Sequence, residues 1–463
     1  MIKVRPQIRP KLDLEFVPAA LWNRFYLDLA KGNSMGRVVR FAIERPEGER
    51  WTFSTRLLPA TPEFREINFK YCERLTKFLL WAWGGPVVRI AGAPEIVTKL
   101  RKHYSEGMSR SFDAGFMGQT CFGQKLTFEP ADFNSLQPRK PQVQHDSSSS
   151  LRGNRIGFDL GGSDRKCAAL VDGEVVFSEE IKWSPYFESD PSYHREGIED
   201  SLRRAAEHLP SVDAIGGSAA GIYINNEPRV GSLFRGVSAE NFERQISNIF
   251  KDLKKEWNKI PFEVANDGDV TAIAGAMAIQ DDAVLGISMG TSQAAGYIDP
   301  NGSVTGWLNE LAFAPVDYRD EAPVDEWSGD VGCGVQYFSQ QAVGRLLPIA
   351  GIEISEDATL PERLEVLQAL MKDGDERAAS VYETIGTYFG YSIAHYAEFY
   401  DFRHLLVLGR VSSGEGGNLI LGEARKVLNT EFPELGDKVK FQTPDEKTKR
   451  HGQAVAAASL PRL

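Results

Sequence analysis

The spacing of apolar positions changes several times along this chain, and each change marks an element. A helix is predicted over 63–83, a strand at Val87, Val88 and Ile90, and a second helix over 94–104. Segment 112–122, with Gly115 and Gly118 inside it and Gly123 after, reads as loop. From 156 onward, apolar runs at 156–160, 166–171 and 174–181 are separated by a glycine turn and by Asp172-Gly173. An Asp-Gly pair between apolar runs is a strong hairpin signal. A helix over 193–208 and a strand at 214–216 follow. Next comes a long amphipathic helix over 238–257, with Ser238 as N-cap and Glu240 and Glu243 in its first turns. A short strand at 262–264 leads into a small-residue helix over 270–279. A hairpin (283–289 with 294–298) and a turn at 299–302 come next. Beyond 331 helices dominate, broken by one apolar strand at 405–408. Two sheets flanked by helices predict an α/β protein of two lobes with a cleft between them.

A chain of 463 residues is too long for one comfortable core. Polar composition across 134–155, ending in Ser147-Ser148-Ser149-Ser150, marks a linker. The expected division is therefore a separate α+β unit over 1–133, the linker, a first lobe over 156–285 and a second over 286–463. The N-terminal unit shows no helix-turn-helix signal and no legible chemistry. A lid over the cleft and a dimerisation element are both open to it. A formal charge of -11 argues against a nucleic-acid partner. No transmembrane or secretory pattern is visible, so a cytoplasmic protein without membrane association is expected. Cys72, Cys121, Cys167 and Cys333 lie far apart and read as reduced thiols, not metal ligands.

Four segments carry candidate chemistry. Asp159 ends a strand and is followed by Gly161, Gly162 and Ser163, a turn whose backbone can approach phosphate, with Lys166 nearby. Read alone, it is equally a tight hairpin with a solvated carboxylate. Asn266-Asp267 stands at a strand end before a helix, where Asp267 suits a general base and Asn266 a hydroxyl partner. The plain alternative is a helix cap. Gly290-Thr291-Ser292 offers a second phosphate cradle or an ordinary hairpin turn, and Leu408-Gly409-Arg410 a nucleoside-facing strand end or a commonplace junction. Transfer of a phosphoryl group to an alcohol needs phosphate donors, a carboxylate for the metal and a carboxylate for the alcohol proton. The four segments supply a candidate for each.

In this order, the segments resemble the ROK sugar kinases and sugar-responsive repressors, within the actin- and hexokinase-like ATPase superfamily. The resemblance covers about 300 residues from 156 onward and implies two ribonuclease-H-like lobes closing on ATP, Mg²⁺ and a sugar. It assigns Asp159 to the metal and Asp267 to catalysis. Gly161, Gly162, Ser163, Lys166, Gly290, Thr291, Gly409 and Arg410 fall to the nucleotide, and Asn266, Glu310, Ser218 and Gly221 to the substrate. Residues 451–458 are similar to the family's small-residue terminal helix. The departures are equally specific. Phe313 stands where the family has a zinc-binding histidine, and Cys333 is what remains of the cysteine cluster, so no zinc is expected. The family's Pro-Asn-Leu sugar segment maps to Ser232-Leu233-Phe234, which lacks the amide. Arg410 replaces a glycine and would narrow the nucleotide pocket or contact phosphate.

The resemblance implies an ATP-dependent kinase of a sugar or polyol. The alternative is a non-catalytic sugar- or nucleotide-binding regulatory protein that kept the kinase shell. Helices around 382–399 read either as a homodimer surface or as simple core.

Overall fold

The structure, a computed structural model, describes residues 4–139, 145–146, 151–443 and 446–463. The serine tract at 147–150 lies outside the described residues.

The first lobe is built on a five-stranded sheet. Strands β6 (Asn154–Leu160), β7 (Asp164–Val171) and β8 (Glu174–Lys182) form an antiparallel meander, while β9 (Ala214–Ala219) and β12 (Phe262–Asn266) extend it parallel to β6. The order is β12-β9-β6-β7-β8. Asp172 and Gly173, both at positive φ (47° and 87°), make the predicted two-residue turn. A small hairpin, β10 (Gly221–Ile224) with β11 (Glu227–Gly231), stands apart from this sheet.

The second lobe repeats the plan. Strands β13 (Val284–Met289), β14 (Gln293–Ile298), β15 (Ser303–Val304), β16 (His404–Leu408) and β17 (Lys440–Gln442) form its sheet. Its last strand comes from the linker: β5 (His145–Asp146) pairs with β15. The helix Asp267–Ile279 leaves the first lobe and packs its small residues between β13, β14 and β16, so Gly268 lies against Ala295 and Gly296.

The N-terminal unit has a four-stranded sheet, order β2-β1-β3-β4, from β1 (Arg37–Glu44), β2 (Arg50–Leu57), β3 (Val87–Ala91) and β4 (Thr127–Ala131). Only β3 was expected; the hairpin β1–β2 is rich in arginine and glutamate, which masks its alternation. Segment 112–122 is helical, not loop: Ser111–Gly115 runs into the wider turn Phe116–Thr120, and Asp113 is buried on Lys77 and Trp81. The helix expected over 238–257 is broken. It begins at Ser238, widens over Phe242–Ile246 and re-forms at Ile249–Glu256, which keeps Ile246, Ile249, Phe250 and Leu253 buried together.

The N-terminal unit is also not separate. Its apolar core is continuous with that of the second lobe, through Phe16, Trp22, Tyr26 and Phe78 against Tyr318, Tyr337, Tyr388 and Phe399. Residues 4–18 run across the second lobe, where Asp13 pairs with Arg319 (2.8 Å) and Val17 donates to Asp317. The helix Glu376–Tyr396 is buried from Val381 to Tyr396 apart from Glu383, so that face is core and not a dimer surface. No described helix is long and apolar enough to cross a membrane.

Candidate active site

Parallel strands deliver polar residues to one end of a sheet, and here the register does so directly. Asp159 on β6 lies beside Ser218 on β9, which lies beside Ala265 on β12, one residue before Asn266. Two strand spacings, about 10 Å of backbone, therefore separate the Asp159 strand from the one that ends in Asn266 and Asp267. Ser218 donates its hydroxyl to Asp159 Oδ1 at 2.7 Å, and Lys166 Nζ lies 3.6 Å from Oδ2. Lys166 also pairs with Asp164 at 2.9 Å, and Ser163 donates to the other Asp164 oxygen. Burial pushes the Asp159 carboxyl up, against the pull of Ser218 and Lys166. Ser218, expected at the substrate, is thus committed to orienting Asp159.

Asn266 caps the helix Asp267–Ile279, its side-chain oxygen accepting from Gly268 N at 2.7 Å. Its amide nitrogen donates to the Gly221 carbonyl at 2.5 Å, holding the β10–β11 hairpin at the site. The cap is therefore Asn266, and the Asp267 carboxylate meets the backbone N–H groups of Gly268 and of Asp267 itself. Asp267 is half-buried at the first helical position. Burial, then the charge of Asp159, push its carboxyl up to about 6. Glu310 faces the same space: burial, then Asp267 and Asp269, raise it to about 7. Asp269, two residues further along the helix, is buried and accepts from Asn309 Nδ2 (2.8 Å) and Tyr297 N.

The N-terminal unit holds Glu310 in place. Backbone N–H groups of Leu308, Asn309 and Glu310 donate to the carbonyls of Trp83, Ala82 and Trp81, the open C-terminal end of helix Arg65–Trp83. Phe313 stacks on Trp81 (4.3 Å between ring centres) and on Trp327 (5.7 Å). Trp81, Ala82 and Trp83 are more than 200 residues from Glu310 in sequence, and no local pattern announces them. Cys333 is buried, which pushes its thiol up and away from thiolate.

The remaining predicted residues fall at two strand ends. Gly161 and Gly162 lie in the β6–β7 turn. The Gly161 carbonyl accepts from Trp183 Nε1 at 2.7 Å, and the Tyr186 ring covers Gly162 so closely that a Cβ there would overlap it. In the second lobe Gly290 and Thr291 turn from β13 to β14, beside the end of β16. Gly409 (φ 96°) lies on the Met289 backbone, where any side chain would collide. Arg410 is exposed and pairs with Glu365 at 2.9 Å, directed to the helix Leu360–Lys372.

Among the described residues no group of three or more His, Cys, Asp and Glu side chains is gathered for a metal. Asp159 with Asp267 does fit a cation such as Mg²⁺, which keeps several waters and takes one or two carboxylates with phosphate oxygens. A carboxylate raised by burial and by the charge of a second one is the kind of donor such an ion relieves.

No family model matches this sequence, and no curated protein does. Solved structures do. A ROK hexokinase from Thermus thermophilus superposes with a TM-score of 0.52 at 17% identity, covering 66% of this chain and 97% of its own. A ROK family transcriptional regulator, a homologue of the E. coli MLC protein, gives 0.52 at 18%, covering 67% of this chain and 79% of its own. The two lobes have the ROK fold. At this identity the likeness concerns the ROK fold alone, and the N-terminal unit is additional to it.

Proposed function

We propose that this protein is an ATP-dependent phosphotransferase whose acceptor is a hydroxyl of a sugar or sugar-like polyol. The observation that carries the reading is Asp267: a carboxylate at the first position of the helix that Asn266 caps, raised to about 6 by burial and by Asp159 against its backbone hydrogen bonds, with Glu310 close by. A base with a pKa near the working pH takes a proton most effectively as a new bond forms.

In this reading the acceptor hydroxyl oxygen bonds to the terminal phosphorus of ATP while the bridging P–O bond breaks, its electron pair leaving on ADP. The hydroxyl proton passes to Asp267. Asp159, held by Ser218 and Lys166, would ligate Mg²⁺, which when bound neutralises charge on the phosphates. Gly161 N and Gly290 N close their own turns on Asp164 O and Ser292 O, so the backbone N–H groups of Gly162, Ser163 and Thr291 would hold phosphates, Gly409 would admit the nucleoside, and Glu310 would accept from a second acceptor hydroxyl.

A second reading, a non-catalytic sugar- or nucleotide-binding regulator, draws on Asn266 and Ser218, whose polar atoms are already engaged. One experiment separates the two. Mg·ATP is offered with a panel of sugars and polyols, and ADP release is followed for wild type and Asp267→Asn. The kinase reading expects acceptor-dependent release that falls about 10²–10⁴-fold in the variant, with ATP affinity retained. Wild type that binds ATP but releases no ADP with any acceptor leaves the regulator.

A further inference from the structure

Arg235 is a cation with no carboxylate partner among the described residues, held by aromatic rings at the edge of the β6–β7 turn. Its guanidinium carbon lies 4.0 Å from the centre of the Tyr186 ring and 5.3 Å from that of Phe187. No ion pair among the described residues engages it, whereas nearby Arg165, Arg195, Arg204 and Arg229 are each paired with Asp or Glu. The stack stands at the cleft end of the first sheet: β8 runs antiparallel to β7, so its end returns beside the β6–β7 turn. Trp183 N donates to the Ser163 carbonyl, and Tyr186 lies on Gly162. Arg235 itself follows the turn Ser232–Phe234, the segment matched to the family's sugar-binding loop. It is thus placed between the turn that would hold phosphate and the segment that would hold the acceptor. Phe187 is 83% exposed at the same place, an apolar ring left open to solvent.

A guanidinium on an aromatic face keeps its full charge and all its N–H donors while losing side-chain freedom beforehand. Such a group stabilises charge on a phosphoryl group in flight, and the lack of a local carboxylate leaves that charge unspent. We propose that Arg235 binds the terminal phosphoryl group of the nucleotide and follows it during transfer. The proposal rests on the phosphotransferase reading, but its binding arm does not need turnover.

The test compares wild type, R235Q and R235K by calorimetric titration with Mg·ATP and with Mg·ADP, and by turnover on an acceptor from the panel. R235Q is expected to lose about 10-fold or more in ATP affinity while ADP affinity is unchanged. Its kcat should fall about 10²–10³-fold with the acceptor KM nearly unchanged, as for removal of a donor to a developing charge. R235K should recover part of the loss, since it restores the charge without the fork. Wild type without turnover whose preference for ATP over ADP still disappears in R235Q supports Arg235 and sinks the kinase reading instead. Equal ATP and ADP binding in wild type and R235Q overturns the assignment. So does a loss confined to the KM of anionic acceptors, or an equal loss for both nucleotides with a lower melting temperature.

Discussion

Asp267 and Glu310 ionise against their surroundings, and that leaves a signature that does not depend on turnover. Both are raised in the folded protein, to about 6 and about 7 from 3.8 and 4.5, so between those limits the native state binds more protons than the unfolded one. Their contribution is fully present below pH 4 and is lost as pH rises through 6 and 7. Asp267→Asn and Glu310→Gln should therefore melt above wild type at pH 8, with the gap closing at pH 5, as read by scanning calorimetry. A gap that stays constant or reverses would mean these carboxyls are not raised. At the same scale, the residues named from sequence differ in what they do. Asn266, a candidate substrate group by sequence, caps the helix and pins the β10–β11 hairpin. Ser218 orients Asp159, and Arg410 is taken up by Glu365.

Among the elements, the terminal helix Glu446–Ala457 shows most directly why small residues recur. It crosses the back of the first sheet where Gly157 on β6 and Gly216 on β9 have no side chain, and the carbonyls of Ala454 and Ala457 fill that space. A methyl at Gly216 would collide with the Ala457 backbone, which cannot rotate away. Gly216→Ala should cost about 1–3 kcal/mol or more by overpacking, visible as a lower urea midpoint. A neutral result would mean the helix docks loosely. Strands in the two central sheets were legible because buried strands are continuous apolar runs. The two- and three-residue strands β5, β15 and β17 and the hairpins β1–β2 and β10–β11 were not, since strands so short show no period and half-exposed ones carry polar and charged residues. The break in 238–257 was equally hidden: a helix that widens by one residue keeps an amphipathic sequence while shifting which face it buries.

Across the whole molecule, the N-terminal unit and second lobe are tied by charge as well as by apolar contact. Arg74, Lys77 and Arg110 are buried with Glu73 and Asp113 of the same unit, an excess of one positive charge. Asp330 of the second lobe supplies the balance, pairing with Lys77 at 2.9 Å, with Arg74 at 3.2 Å and with Arg110. Trp81 donates to Asp113 at 2.7 Å and stacks on Phe313, so this network continues to the turn that bears Glu310. Asp330→Asn would strand a buried cation at about 3–5 kcal/mol. Asp330→Asn combined with Lys77→Met should recover stability in urea unfolding; failure to recover would show that the charge balance is not the cause.

By itself, the sequence determined the order of strands and glycine turns, and with it the two-lobed fold and the candidate carboxylates Asp159 and Asp267. Each of these is written in a run of neighbouring residues, where apolar period, turn chemistry and strand-end position are all local. Tertiary structure alone decided the union of the N-terminal unit with the second lobe, the carbonyl support behind Glu310 and the stacking of Arg235 on Tyr186 beside the β6–β7 turn. These depend on residues from about 50 to more than 200 positions apart meeting in space, and a pairing at that range leaves no period for a single sequence to display.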